Sequence, residues 1–106
     1  MVARFEVYLV NLDIDISKDP KNTRPAAVVS PDEMNRHLST VLIAPISSTS
    51  LLYPTRISID FLDSARAVIL DQIRTVEKAR LVKKIGGIEM AQRRTIVEKL
   101  GEMFAE

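Results

Sequence analysis

A chain of 106 residues, 46% apolar and 27% charged, has room for one modest core and is too apolar to stay disordered. With 15 basic and 14 acidic side chains the net charge is +1, so the sum alone does not mark a nucleic-acid binder. Cysteine is absent, which excludes disulfides and thiolate chemistry, and the single histidine, His37, cannot build a zinc site or a two-histidine ribonuclease centre alone.

Residues 5–12, FEVYLVNL, alternate and then run apolar, which suits a first strand. The opening MVARFEVYLV meets Asp13 and Asp15 at once and lacks the apolar core and cleavage site of a secretory signal. No run approaches the roughly 20 apolar residues that span a bilayer. The chain therefore reads as one cytoplasmic domain over 1–106, with no membrane partner. DIDISKDPKNT predicts a long loop. A second strand is expected from Ala26 to Ser30, opened by Pro25, and then a turn or single helical turn over 31–39 with Pro31 at its first position.

TVLIAPI, 40–46, predicts a buried strand that ends at Pro45. A polar-then-apolar loop covers 47–54. Residues 55–61 alternate, with Ile57, Ile59 and Phe61 on one side and Arg56, Ser58 and Asp60 on the other. A fifth strand is expected near 66–71, and a further strand, or a short helix and strand, over 76–85 up to the Gly86-Gly87 break. The end is helical: Ile96, Val97, Leu100, Met103 and Phe104 form one stripe that faces the sheet or a partner. Short strands with one terminal helix predict a mainly β fold, a small barrel or strongly bent sheet with helical additions. Exposed barrel edges favour a dimer.

Three polar clusters border apolar strands. Lys18, Asp19 and Arg24 lie in or beside the long loop. Ser47-Ser48-Thr49-Ser50 follows a buried strand, and Asp71-Gln72-Ile73-Arg74 interrupts another. Each has a plainer reading: a surface ion pair, a polar turn, a strand end. Together, a guanidinium, hydroxyls and a carboxylate suit a phosphodiester, because arginine offers a fork of donors to its oxygens and a hydroxyl adds another. The segment 74–84 also carries Arg74, Lys78, Arg80, Lys83 and Lys84 against Glu77, so a local basic face is possible.

EVYLVNLD (6–13), TRPAAVVSPDEMNRH (23–37), TVLIAPISST (40–49), YPTRI (53–57), ILDQIRTVEKARLVKKIG (69–86) and the closing helix follow in order over most of the chain. In these segments the sequence resembles the MazF/PemK family of toxin endoribonucleases. The resemblance implies an SH3-like β-barrel with short helical insertions and a C-terminal helix. It also implies a homodimer and metal-independent, cofactor-free cleavage of single-stranded RNA, such as mRNA, at short motifs. In such enzymes the 2′-OH attacks the adjacent phosphorus and leaves a 2′,3′-cyclic phosphate and a 5′-OH, so RNA is obligatory.

By the resemblance, Arg24 and Ser47 are the catalytic pair, with Arg24 held by Pro25. Asp19 and Asp71 are candidates for acid, base or orienting roles, and Lys18, Ser48, Thr49, Gln72 and Arg74 for RNA contacts. The implied partner is a cognate MazE-like antitoxin with a disordered acidic tail, for which the basic segment 74–84 is one landing site. The sequence departs from the family at Ser17, Lys18 and Asp19, where Gly-Ser-Glu is frequent. Ser47 stands where threonine is usual, and Phe5 where a glycine usually precedes the first strand. Two rivals share the resemblance: a relative that binds RNA or antitoxin without cutting, and a CcdB-like gyrase poison. The missing tryptophan and the ending EMFAE speak against the second.

Overall fold

Short apolar runs between charged turns build a single antiparallel sheet. The computed structural model describes residues 1–12, 23–48 and 53–105. Its strands are β1 (Glu6–Asn11), β2 (Thr23–Val28), β3 (Thr40–Ser47), β4 (Arg56–Phe61), β5 (Ser64–Ile69), β6 (Arg74–Glu77) and β7 (Leu81–Gly87). The helices are α1 (Asp32–His37) and α2 (Met90–Phe104), with single 3-10 turns at Leu70–Gln72 and Lys78–Arg80. The strand order is β4-β5-β3-β2-β1-β7, with β6 paired to β3. No described helix is long and apolar enough to cross a membrane.

The sheet curls until its terminal strands meet. Phe61 at the end of β4 is buried, and a Cβ on Gly86 of β7 would lie 2.8 Å from its Cε1 atom. Glycine at 86 therefore lets β7 approach the ring closely. One cluster of buried side chains fills the curl, including Val7, Ala27, Ala44, Ile57, Ile59, Val68 and Ile96. A second, built from Val10, Ala26, Val28, Val41, Ile43 and Val76, covers the other face. Ala26, Ala27 and Val28 are all buried because β2 is covered on both faces, and such strands read as continuous apolar runs.

Several boundaries differ from the sequence reading. β2 starts at Thr23, so Arg24 and Pro25 lie within it. Pro45 does not end β3, which runs on to Ser47. The fifth strand stops at Ile69, and Leu70–Gln72 forms a 3-10 turn. Gly86 and Gly87 belong to β7. On α2, Ile96 is buried, and Leu100 and Met103 pack on the core, but Val97 and Phe104 are exposed, so the apolar stripe is narrower than expected.

Candidate active site between two diverging strands

β2 and β3 pair only at Val28–Ile43, Ala27–Ala44 and Ala26–Pro45. Beyond this point β2 stays with β1, Pro25 opposite Leu9 and Arg24 opposite Val10. β3 instead transfers to β5, with Ile46 opposite Val68 and Ser47 opposite Ala67. A proline brings no N–H to a ladder, and prolines stand at the parting on both strands. Had the register continued, Arg24 would face Ser47. The strands diverge instead, and both residues line a cleft of about 760 Å³ between them.

The neighbouring edge explains the rest of the rim. From Ile46–Val68 to Ile43–Arg74, β3 advances three residues while its partner advances six. The surplus is taken up in the Leu70–Gln72 turn, where Leu70 is buried and Asp71 and Gln72 are exposed. Gln72 and Arg74 line the cleft with Arg24, Ser47 and Ser48. Sequence reasoning thus named five polar residues that the fold brings together. Lys18, Asp19 and Thr49 lie outside the described residues.

Asp71 is the exception. It is absent from the cleft lining and turns to the start of β4. The Thr55 hydroxyl donates to its Oδ1 at 3.0 Å, and Arg56 Nε lies 3.5 Å from the same oxygen. Slight burial pushes the carboxyl up. Hydrogen bonds from Thr55 and its own backbone N–H, with the Arg56 charge, outweigh this and hold it below the usual carboxylate range.

Two charged lining residues were not singled out from sequence, Arg56 and Arg66. The alternation over 55–61 put Arg56 on the polar side of β4. Only the pairing of Arg56 with Ile69, itself a lining residue, brings it to the cleft. Arg66 Nε donates to the Phe61 carbonyl at 3.3 Å. Arg24 is exposed, and its Nη1 donates to the Thr23 carbonyl at 2.9 Å.

The cleft is thus lined by four arginines, two serines and a glutamine over Leu12, Ile46, Ile69 and the prolines. Among the described residues no aspartate or glutamate lines it. The described residues likewise hold no group of three or more His, Cys, Asp or Glu placed to bind a metal ion. Guanidiniums and hydroxyls in this setting bind and stabilise an anion such as a phosphodiester.

The rest of 74–84 is not one open basic face. Lys78 Nζ donates to the Asn35 carbonyl, Arg80 Nη1 to the Asn11 carbonyl at 3.2 Å, and Lys84 pairs with Glu6 at 2.5 Å. These cations tie strands and α1 together.

The comparison with known proteins agrees with this architecture. The sequence profile of the PemK-like, MazF-like toxin of type II toxin–antitoxin systems matches residues 3–104. Endoribonuclease MazF of Staphylococcus epidermidis is 31% identical over 91 residues, covering 80% of this chain and 76% of that protein. An endoribonuclease in complex with its cognate antitoxin, from Mycobacterial species, superposes with a TM-score of 0.80 at 23% identity, over 96% of this chain and 93% of that one. MazE-MazF (Form-II) from Deinococcus radiodurans gives 0.79 at 19% identity, over 98% and 95%. At these identities the two structures speak to fold. The sequence match decides the family, and the chain belongs to the PemK-like, MazF-like toxins of type II toxin–antitoxin systems.

Proposed function

We propose that this chain cuts single-stranded RNA in the Arg24–Ser47 cleft, through attack of the RNA's own 2′-OH on the adjacent phosphorus. The coarse part follows from the family, which makes the chain a MazF-like toxin endoribonuclease. The finer part rests on one observation: diverging, proline-marked strands line a cleft, without a carboxylate among the described lining residues, with a guanidinium from one side and a hydroxyl from the other.

In this reaction the 2′-oxygen bonds to phosphorus and the bond from phosphorus to the 5′-oxygen breaks. The 2′-OH loses a proton and the 5′-oxygen gains one, leaving a 2′,3′-cyclic phosphate and a 5′-OH. The nucleophile belongs to the substrate, so the protein need supply only orientation and charge stabilisation. Arg24 stabilises the phosphorane-like transition state and stays protonated throughout. Ser47 is a second donor to the same group. Ser48, Gln72 and Arg74 hold flanking nucleotides, as do Lys18 and Thr49 from segments outside the described residues. DNA is not cut, because it lacks the 2′-OH.

The working unit is a cytoplasmic homodimer, held inactive by a cognate antitoxin whose disordered acidic tail folds across the toxin. One structural relative is itself an endoribonuclease in complex with its cognate antitoxin. The test is incubation of purified protein with a long single-stranded RNA in EDTA, followed by mapping of the new ends. Cuts at one short motif with cyclic-phosphate ends are expected, and Arg24→Ala loses them. Intact RNA after treatment with folded, antitoxin-free protein would sink the reading in favour of a binding-only relative.

A further inference from the structure

We propose that Asp71 is a positioning residue: it fixes Arg56 at the cleft as a second phosphate-binding guanidinium and transfers no proton. The proposal rests on the reading of the cleft as an RNA site.

Arg56 is held from several sides. Its guanidinium carbon lies 4.8 Å from the centre of the Tyr53 ring, and its backbone N–H donates to the Tyr53 carbonyl at 2.9 Å. Its side chain is only 15% exposed, yet it lines the cleft. Asp71 approaches Nε, at 3.5 Å. That leaves the outer Nη edge, whose parallel N–H groups match two phosphate oxygens. Nε is buried without a well-formed hydrogen bond, so Asp71 acts on it as a nearby charge. Thr55 completes the arrangement by donating to the same carboxylate oxygen.

The fold dictates this placement. Arg56 pairs with Ile69, and the Leu70 N–H donates to the Thr55 carbonyl at 3.0 Å. The 3-10 turn then carries Asp71 back beside Thr55 and Arg56 instead of into the cleft. A carboxylate tied to a hydroxyl and a guanidinium outside the lining is badly placed to receive a 2′-OH proton.

The test is a double-mutant cycle of Asp71→Asn and Arg56→Ala, read by binding of a short mixed-sequence 2′-O-methyl RNA strand, which cannot be cut. Each single variant weakens binding about tenfold, the scale of a charge-assisted contact. The double variant is no weaker than Arg56→Ala, because both changes remove one interaction. The slope of log affinity against log salt falls by about 0.7 in each, one phosphate contact on a single strand. In cleavage assays the loss falls on KM, and the pH profile of kcat keeps its position.

Additive losses, or an Asp71→Asn variant that loses kcat together with one limb of its pH profile, would overturn the proposal. Thr55→Val provides a milder version if Asp71→Asn fails to fold, with the same coupling to Arg56→Ala expected. Wild-type protein that binds the strand but cuts no RNA would defeat the cleavage reading alone, and the binding cycle would still decide this one. Wild-type protein that binds no single strand would defeat both.

Discussion

Two arginine-lined hollows in this molecule set the same side chain in different surroundings. In the cleft, four guanidiniums gather with no carboxylate among the described lining residues. The second hollow, about 590 Å³, lies beside Phe5 and is lined by Met90, Ala91, Arg93 and Arg94. There the lining Arg93, with its neighbour Arg4 outside the lining, is engaged internally. Arg4 and Arg93 lie over the Phe5 ring at 5.1 and 5.5 Å. Their Nε atoms donate to the Val29 and Ile88 carbonyls at 3.0 and 2.6 Å. Cleft arginines also meet local acceptors, Arg24 the Thr23 carbonyl and Arg66 the Phe61 carbonyl. The hollows therefore differ in the lining around the guanidiniums: serines and a glutamine in the cleft, Phe5, Met90 and Ala91 in the other.

Phe5 shows why the second hollow is built this way. Its φ is 71°, in the left-handed region where glycine is at ease. The resemblance leads one to expect glycine at this position. The chain keeps phenylalanine by tying its N–H to the Val28 carbonyl at 2.7 Å, its carbonyl to the Ile88 N–H at 2.8 Å, and its ring to two arginines. Strain of this kind persists only where the surroundings over-determine it.

The largest effect should come from the cleft. Arg24→Ala is expected to slow single-turnover RNA cleavage by about 10²–10³-fold, the scale for loss of one transition-state donor. Its melting temperature should barely move, since the side chain is exposed. A large loss of stability with cleavage retained would place Arg24 with the structural arginines.

A paired test compares the hollows directly. Arg66→Gln should weaken RNA binding and lower the salt slope by about 0.7. Arg93→Gln should leave RNA binding and cleavage alone and cost about 1–2 kcal/mol of stability through its lost ring and carbonyl contacts. Equal salt slopes in the two variants would erase the distinction.

At Phe5, Ala and Gly variants should rank against their usual order. Both lose the ring, but only alanine retains a left-handed penalty, so Phe5→Gly should be more stable than Phe5→Ala by about 1 kcal/mol in thermal melts. An alanine variant equal to or better than glycine would mean that the strain is relieved locally.

The smallest effect is in acid. Burial pushes the Glu6 carboxyl up, but hydrogen bonds from Lys84, the Ala3 N–H and Tyr8, with the Lys84 charge, bring it below the usual range. Asp71 is lowered too. A depressed folded value favours the folded state fully above the ordinary carboxylate range, and the contribution is lost as pH falls through the lowered value. Glu6→Gln and Asp71→Asn should therefore each flatten the acid limb of a stability–pH curve, with Asp71 contributing less because it is more exposed. An unchanged acid limb in both would assign acid unfolding to other groups.

Local pattern carried much of this protein. Alternation in RISIDF put Ile57, Ile59 and Phe61 on one side, which the fold buries, the AAV run of β2 was legible as a strand, and the closing helix was legible from its apolar spacing. The resemblance pointed to Arg24, Ser47, Ser48, Gln72 and Arg74 one by one, each beside a strand whose apolar content could be read. What sequence could not supply was where a strand changes partners. Pro25 and Pro45 looked like strand boundaries, because proline lacks a ladder donor. In the fold they lie within continuous strands, at the point where β2 stays with β1 and β3 moves to β5. That transfer opens the cleft. The three surplus residues opposite β3 turn Asp71 away from it, and the pairing of Arg56 with Ile69 brings Arg56 in. Strand pairing depends on residues far apart in the chain, so side-chain type offered candidate groups and tertiary register decided which of them line the cleft.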